Sequence, residues 1–471
     1  MTRRMLDARL CPPGSMGAAL AAALLALGSA QAQTPPARLD DPSAPLREAA
    51  RTEKRVDLIT LYREALRNDA QFQAARFQAQ ATAEREPQAR AALLPSLNAS
   101  GDFFVRRYDG TNPTVGNTYG DYGAGLSLLV PVYRPQSWET LEQSRLQVLQ
   151  GENSLSQARQ DLAVRLANAY FNVLAARDQV NSLEVQKEAT LQQLAQARRE
   201  FEVGTKTIID TNEAQARYDQ IVAALQVAVG QLLIRRNELR AIVGRDPEVL
   251  AGLADAPRLQ LPQPNEAAVW VKATEDGNFG VRNARATVEI ARREVQRARH
   301  GHKPTVDVVA NYGIRRFDGT QLSGTEFRAN SGNIGVQLNV PLYTGGLTQS
   351  RVREALALES RSASDLENVL RTATNNARAA FTGVNYGLTQ VQALESAERS
   401  ARTQLESTRL GYQVGVRIQL DVLNATTQLV STQRDLKRAR YDFLISGLNL
   451  KAAAGSLAED DLQAVNRLLT Q

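Results

Sequence analysis

The chain has 471 residues, 43% of them hydrophobic, 23% charged and only 5% aromatic, with a formal net charge of +6. That composition excludes a disordered tail and supplies core material for two or three domains, while the small basic excess among interspersed acids excludes an electrostatic binder of nucleic acid. No apolar run reaches the roughly 18 to 20 residues that a spanning helix needs, but barrel strands of about 9 to 11 alternating residues escape a hydropathy window, so a membrane stays open.

Arg3, Arg4 and Arg9 precede an apolar run over 18–27, and Ala30-Gln31-Ala32 follows it. The pattern predicts a secretory signal over residues 1–32, cleaved before Gln33. Cys11, the single cysteine, lies before the apolar run and leaves with the signal. The mature chain then has no thiol, so it has neither disulfides nor cysteine-based metal sites or nucleophiles. Loss of Arg3, Arg4, Arg9 and Asp7 brings the formal charge to +4. Residues 33–55 are expected as a flexible segment.

Proline placement divides the rest, because helix interiors tolerate proline poorly. All 17 prolines lie at or before Pro341, and none falls between Pro135 and Pro247. The two proline-free tracts are rich in Ala, Leu, Gln, Glu and Arg and predict long helices. In the first, Leu162, Leu166, Ala169, Val173, Ala176, Val180, Leu183, Leu194, Ala197 and Phe201 follow a 3,4 alternation interrupted at Lys187 and Thr190. This is a coiled-coil seam.

The two halves are copies. Val105-Arg-Arg-Tyr-Asp-Gly-Thr111 matches Ile314-Arg-Arg-Phe-Asp-Gly-Thr320, Val130-Pro-Val-Tyr133 matches Val340-Pro-Leu-Tyr343, and Phe201-Glu-Val-Gly204 with Asp210 matches Tyr412-Gln-Val-Gly415 with Asp421. Even the ends agree, Leu239 and Gly244 against Leu450 and Gly455. The order is preserved at a nearly constant offset, which makes the chain a tandem duplication. The expected organisation is helices over 56–94, a β-hairpin over 95–135 and a long helical hairpin over 136–247. A linker at 248–264 leads to helices over 265–303, a β-hairpin over 304–343, a long helical hairpin over 344–455 and a C-terminal segment at 456–471.

In each half the period changes from helical to alternating. Val306, Val308, Ala310, Tyr312 and Ile314 fall on one face and Thr305, Asp307 and Asn311 on the other, with Val309 the exception. Ile334, Val336, Leu338, Val340 and Leu342 alternate with Asn333, Gly335, Gln337 and Asn339. The first half holds weaker copies at 97–105 and 122–132, and polar loops are expected over 106–118 and 315–325. One apolar and one polar face suit a transmembrane barrel strand, although a soluble hairpin packed on a helix would alternate in the same way. Four strands cannot close a transmembrane barrel, so several chains must share one.

The residues resemble the TolC-type outer membrane channel-tunnels of Gram-negative bacteria, over nearly the whole mature chain. The match is strongest in Gly301-His-Lys-Pro-Thr-Val-Asp307, Val340-Pro-Leu-Tyr-Thr-Gly-Gly346, Gly411-Tyr-Gln-Val-Gly415, Leu420-Asp-Val-Leu-Asn-Ala-Thr-Thr427 and Ala439-Arg-Tyr-Asp442. The resemblance implies an α+β membrane protein. In a homotrimer, four transmembrane strands per chain would build a shared 12-stranded β-barrel, continued by a periplasmic barrel of long coiled α-helices. It also implies a passive exit duct of a tripartite export system, in type I protein secretion or multidrug efflux. The partners would be a periplasmic adaptor, an inner-membrane ABC or RND-type transporter and outer membrane lipids.

The hairpin tips carry the residues of interest. Gly204 and Gly415 are placed as helix C′ residues, and Asp210 and Asp421 as N-caps of the returning helices, Asp210 with Glu213 three residues on. Carried over by position from the resemblance, Tyr412 and Arg417 would hold the inner hairpin closed through bonds to Asp210 on the first tip, with Gln193 a further polar match. Two positions depart from the family pattern. Ile209 replaces a hydroxyl that could accept from Arg417. Asn424 replaces a second carboxylate one turn beyond Asp421, which leaves a ring of three acids instead of six and weakens cation attraction.

Enzyme signatures are absent: there is no G-x-S-x-G, GK[ST] or H-E-x-x-H string, and the only histidines are His300 and His302. No cofactor or resident metal is called for, and the arginine-rich stretch 292–299 fits a wet helix face. A simple diffusion porin is disfavoured by helical tracts of some 60 residues, and a periplasmic coiled-coil adaptor or scaffold by the strand alternation and the duplication.

Overall fold

The computed structural model describes residues 55–108, 117–205, 207–247, 249–318 and 326–470. The expected signal at 1–32 and all but Arg55 of the segment at 33–55 lie outside the described residues. Three short helices open the described chain, α1 (Leu58–Asn68), α2 (Ala70–Ala83) and α3 (Arg85–Ala91), then strands β1 (Ser96–Tyr108) and β2 (Asn117–Tyr133). A helix of 68 residues, α4 (Pro135–Glu202), turns back as α5 (Ile208–Val243). The second half repeats the order. Helices α6 (Ala267–Gly277) and α7 (Phe279–Arg299) and a 3₁₀ turn (His300–His302) precede β3 (Thr305–Phe317) and β4 (Phe327–Asn339). The 67-residue α8 (Leu347–Gln413), then α9 (Gln419–Ala453) and α10 (Glu459–Asn466), close the chain.

At about 1.5 Å per residue, α4 and α8 are each roughly 100 Å long. Proline at the first position of α4 helps fix its start, since the missing N–H would be unpaired there anyway. No described helix is long and apolar enough to cross a membrane.

The four strands form one antiparallel sheet in the order β1-β2-β3-β4. The register puts Leu97 beside Leu128, Val130 beside Val308, Leu126 beside Tyr312 and Val308 beside Val336, all on one face. Asn98 beside Ser127, Asn311 beside Asn333 and Asp307 beside Gln337 line the other. Val309, the exception to the alternation, lies on that polar face between Leu129 and Gly335. The apolar face is open: Ile334 is 81% and Val336 69% exposed in the single chain.

The strands run further than the alternation suggested. Arg106 pairs with Tyr119, Arg107 with Thr118, and Arg316 with Arg328, so the expected loops over 106–118 and 315–325 are partly ladder. Backbone pairing persists there while arginines enter the apolar face and Phe317 pairs with Phe327 on the formerly polar one, so the hydrophobic period breaks before the strand does. The duplicated arginine pair has a simple geometry. The first arginine of each copy, Arg106 and Arg315, points to the polar face and grips the fully buried Asp121 on β2, at 2.8 and 3.3 Å. Arg315 also reaches Asp102 at 3.0 Å. The second arginines, Arg107 and Arg316, fall on the apolar side.

The main core lies around the middle of α4 and the C-terminal turns of α5 and α9, not in the sheet. Leu58, Leu61 and Ala65 of α1, Leu162, Leu166, Tyr170, Phe171 and Leu174 of α4, Leu239 and Val243 of α5, Leu444, Leu448 and Leu450 of α9, and Leu462 of α10 are buried together. Burial of such side chains is worth about 1.5 to 3 kcal/mol each, so this collar is the most firmly packed part of the chain. The linker belongs to it: Leu250 and Ala251 are buried, and the Tyr170 hydroxyl donates to the Ala251 carbonyl at 2.6 Å. The halves are pinned there by the buried Asp178 of α4, which accepts from Lys437 Nζ at 2.9 Å and from the Tyr441 hydroxyl at 2.7 Å, both on α9. Burial, and then the Asp178 charge, push the Tyr441 phenol well above its usual range.

Candidate functional site

Beyond the collar the hairpins thin out. Between α4 and α5 the seam is reduced to small clusters, Leu183 with Leu225 and Ala228, then Leu194 with Ala197 and Ala214. Thr190, an interruption of the seam, is buried by returning its hydroxyl to the Gln186 carbonyl at 2.9 Å.

Both tips are closed by the same turn. Gly204 has φ 75° and Gly415 φ 78°, a left-handed conformation that glycine adopts at little cost. The Thr205 N–H donates to the Glu200 carbonyl and the Gly204 N–H to Phe201, while Val416 and Gly415 repeat the pair on Gly411 and Tyr412. These are Schellman ends, which satisfy carbonyls that the helix leaves open.

The aspartates are not N-caps. Thr207 caps α5, and Asp210 stands three residues later, accepting from the Thr207 N–H at 3.0 Å and from its hydroxyl at 2.8 Å. Asp421 occupies the same place in α9 and accepts from the Ile418 N–H at 3.4 Å, while the Asp421 N–H donates to the Ile418 carbonyl. Isoleucine has no side-chain acceptor, so only the carboxylate half of a capping box forms on the second tip.

The predicted gate residues fall into two groups. Tyr412 meets the first hairpin, but through Gln196, whose amide donates to its hydroxyl at 2.7 Å and to Glu200 at 2.8 Å. Gln193 lies one turn away with its side-chain oxygen buried and unpaired. It lines a small cavity between the tips with Gln196, Asp210, Arg217 and Ile418. Arg417 does not pair with Asp210 within the chain. Its guanidinium lies 3.7 Å from Asp421 and is 61% exposed, and the two share a polar groove along α8 and α9 with Asn424, Gln404 and Gln428. Gln196 was missed in the sequence because it carries no motif; its heptad neighbours do not mark it apart from Gln192 or Gln193.

Gly411 fixes where Arg417 lies. A Cβ at Gly411 would stand 2.8 Å from Arg417 Cγ, so the arginine packs over bare backbone. The tips also expose an apolar rim: Val203 is 73%, Ile209 71% and Val416 78% accessible. Among the described residues no group of three acidic, His or Cys side chains could hold a metal. His300 instead turns Nδ1 toward the Pro135 carbonyl at 3.3 Å. Arg292, Arg293 and Arg297 are engaged by Glu289, Glu139 and Glu294 on a wet face.

The family model described as "Outer membrane efflux protein" matches residues 61–245 and again 270–456, one segment per half. The outer membrane protein TolC of Vibrio cholerae is 33% identical, over 87% of this chain and 93% of that one. The alkaline protease secretion protein AprF of Pseudomonas aeruginosa is 30% identical, over 87% of this chain and 86% of its own. Among solved structures, the CmeC outer membrane channel of Campylobacter jejuni superimposes with a TM-score of 0.73 at 16% identity, over 88% of this chain and 90% of that one.

Proposed function

The chain belongs to the outer membrane efflux protein family, and on that premise we propose that three copies join their sheets into one 12-stranded barrel continued by a periplasmic barrel of helices. The open sheet carries this reading. Among the described residues the outer sides of β1 and β4 have no partner, and the apolar face is exposed. Lipid offers no water to satisfy such edges, and four strands are too few to close on themselves. Edge-to-edge closure by three chains satisfies every strand, turns Val308, Val336 and Leu338 to lipid, and leaves a lumen lined by Asn311, Asn333 and Gln337.

The assembly works as an exit duct through the outer membrane and acts as a conduit without chemistry of its own. Secretion of a protease, as the name of the Pseudomonas relative states for that protein, and efflux, as the family description states, use the same passage. Energy comes from an inner-membrane ABC or RND-type transporter, handed on by a periplasmic adaptor. The exposed rim of Val203, Ile209 and Val416 at the tips supplies the apolar surface for that adaptor. At rest the tips close around the axis. The bond from Gln196 to Tyr412 ties the inner hairpin to the outer one, Arg417 reaches across subunits, and Asp421 rings the entrance. Residues 95–135 and 304–343 serve as the membrane hairpins, and 136–247 and 344–455 as the periplasmic ones.

Purified protein should run as a trimer on gels without heating, stay soluble only in detergent and form discrete channels in planar bilayers. A detergent-independent soluble monomer overturns the proposal.

A further inference from the structure

The two ends of the apolar sheet face differ. At the end joined to the helices the exposed side chains include the aromatic rings Tyr133, Trp138 and Tyr343 beside the aliphatic Val132, Val340 and Leu342. The neighbouring cation there, Arg134, is neutralised by a two-pronged bond to Asp307 at 2.7 and 2.9 Å. At the far end the face ends in cations. After Val306, Val308, Ala310, Tyr312 and Ile314, the next outward position of β3 is Arg316, and its direct partner across the ladder on β4 is Arg328. The same register row continues through Tyr122 on β2 to Phe103 on β1, whose rings lie 4.8 Å apart.

Two like charges directly opposite on a strand pair repel unless something neutralises both. Arg316 has Glu326 at 2.8 Å and Asp318 at 3.4 Å. Arg328 is exposed and makes no ion pair or hydrogen bond with any described residue. An unmatched guanidinium just past a lipid-facing band, beside aromatic rings, is placed for an anion at headgroup depth. Arginine's planar fork suits phosphate in particular.

We propose that Arg328, with Arg316 opposite it, is a binding site for the phosphate groups of outer-leaflet glycolipid, one site per subunit around the barrel. The proposal rests on the barrel reading. The five outward positions from Val306 to Ile314 span roughly 20 to 25 Å of bilayer at the usual strand tilt, which brings the arginine pair to the outer headgroups. Cations thus stand on the outward face of the strands where the phosphorylated leaflet would lie, whereas the outward strand positions at the inner end, Val306 and Leu338, are uncharged.

The test is native mass spectrometry of the trimer with lipid A carrying two phosphates, against the same lipid after dephosphorylation. The wild-type trimer should retain the phosphorylated lipid about tenfold better than Arg316→Gln/Arg328→Gln, in line with the loss of one charge-assisted bond. Dephosphorylated lipid should bind both proteins equally and weakly. Arg328→Lys, which keeps a point charge without the fork, should fall between them. Inorganic phosphate should not displace the lipid, because the acyl chains on the adjoining band anchor it; displacement would mean a simple anion site and overturn the lipid assignment. Equal retention by wild type and double variant, in a trimer that still inserts and conducts, removes the site and leaves the duct intact. Failure of the wild type to form channels strikes the barrel reading itself.

Discussion

Removing the Tyr412 hydroxyl tests the gate most directly, because the structure gives it one partner on the other hairpin. Tyr412→Phe deletes the bond from Gln196 and keeps the ring and its packing. Both residues are half-buried, so the loss approximates the net value of a hydrogen bond, about 0.5 to 1.5 kcal/mol, and not the larger cost of a stranded buried group. Gln196 keeps its bond to Glu200 in the variant. Three symmetric copies in the proposed trimer give about 1.5 to 4.5 kcal/mol, which shifts a closed-to-open equilibrium by roughly 10- to 2,000-fold. Arg417 adds less, since its pair with Asp421 is long and solvent-screened. Single-channel recording of the isolated trimer should show longer open dwells and higher mean conductance for Tyr412→Phe. Gln196→Leu should reproduce the effect, and Gln193→Leu should not. If Gln193→Leu opens the channel while Gln196→Leu behaves as wild type, the contact in the single chain is not the one that holds the tips, and the assignment fails.

Arg at Val336, on the apolar face, should destabilise the inserted trimer by about 2 to 4 kcal/mol per chain, whereas Arg at Gln337 should be tolerated, as read from heat-resistant trimer on gels. Asp421→Asn should lower cation selectivity, measured as a reversal potential under a salt gradient. Its cost in stability should stay within about 1 kcal/mol, because the bond to the Ile418 N–H is long. Gly411→Ala should displace Arg417 from the helix and raise conductance with little change in melting, since alanine favours the helix. A wild-type current would show that Arg417 acts from another position.

Much of this molecule is legible in one chain because periodicity is a property of a single segment. The proline-free tracts, the 3,4 seam from Leu162 to Ala197, the alternation of β3 and β4 and the duplication each need only spacing to be seen. Local turn chemistry is partly readable: Gly204 and Gly415 adopt the left-handed turn as expected, but the cap of α5 is Thr207, three residues before the Asp210 that the spacing pointed to. The strand ends were not legible, because around Arg106 and Arg316 arginines interrupt the apolar face and the alternation breaks while the ladder continues. Nor was the partnership of Arg106 and Arg315 on Asp121, which joins residues more than 190 positions apart through the register of three strands. The choice of Gln196 over Gln193 opposite Tyr412 was likewise decided in three dimensions. Two glutamines one turn apart present the same chemistry to the sequence, and only the way α9, with α8 packed on it, lies against α4, anchored by the collar of Leu166, Phe171 and Leu444 far from the tips, selects the one that reaches the hydroxyl.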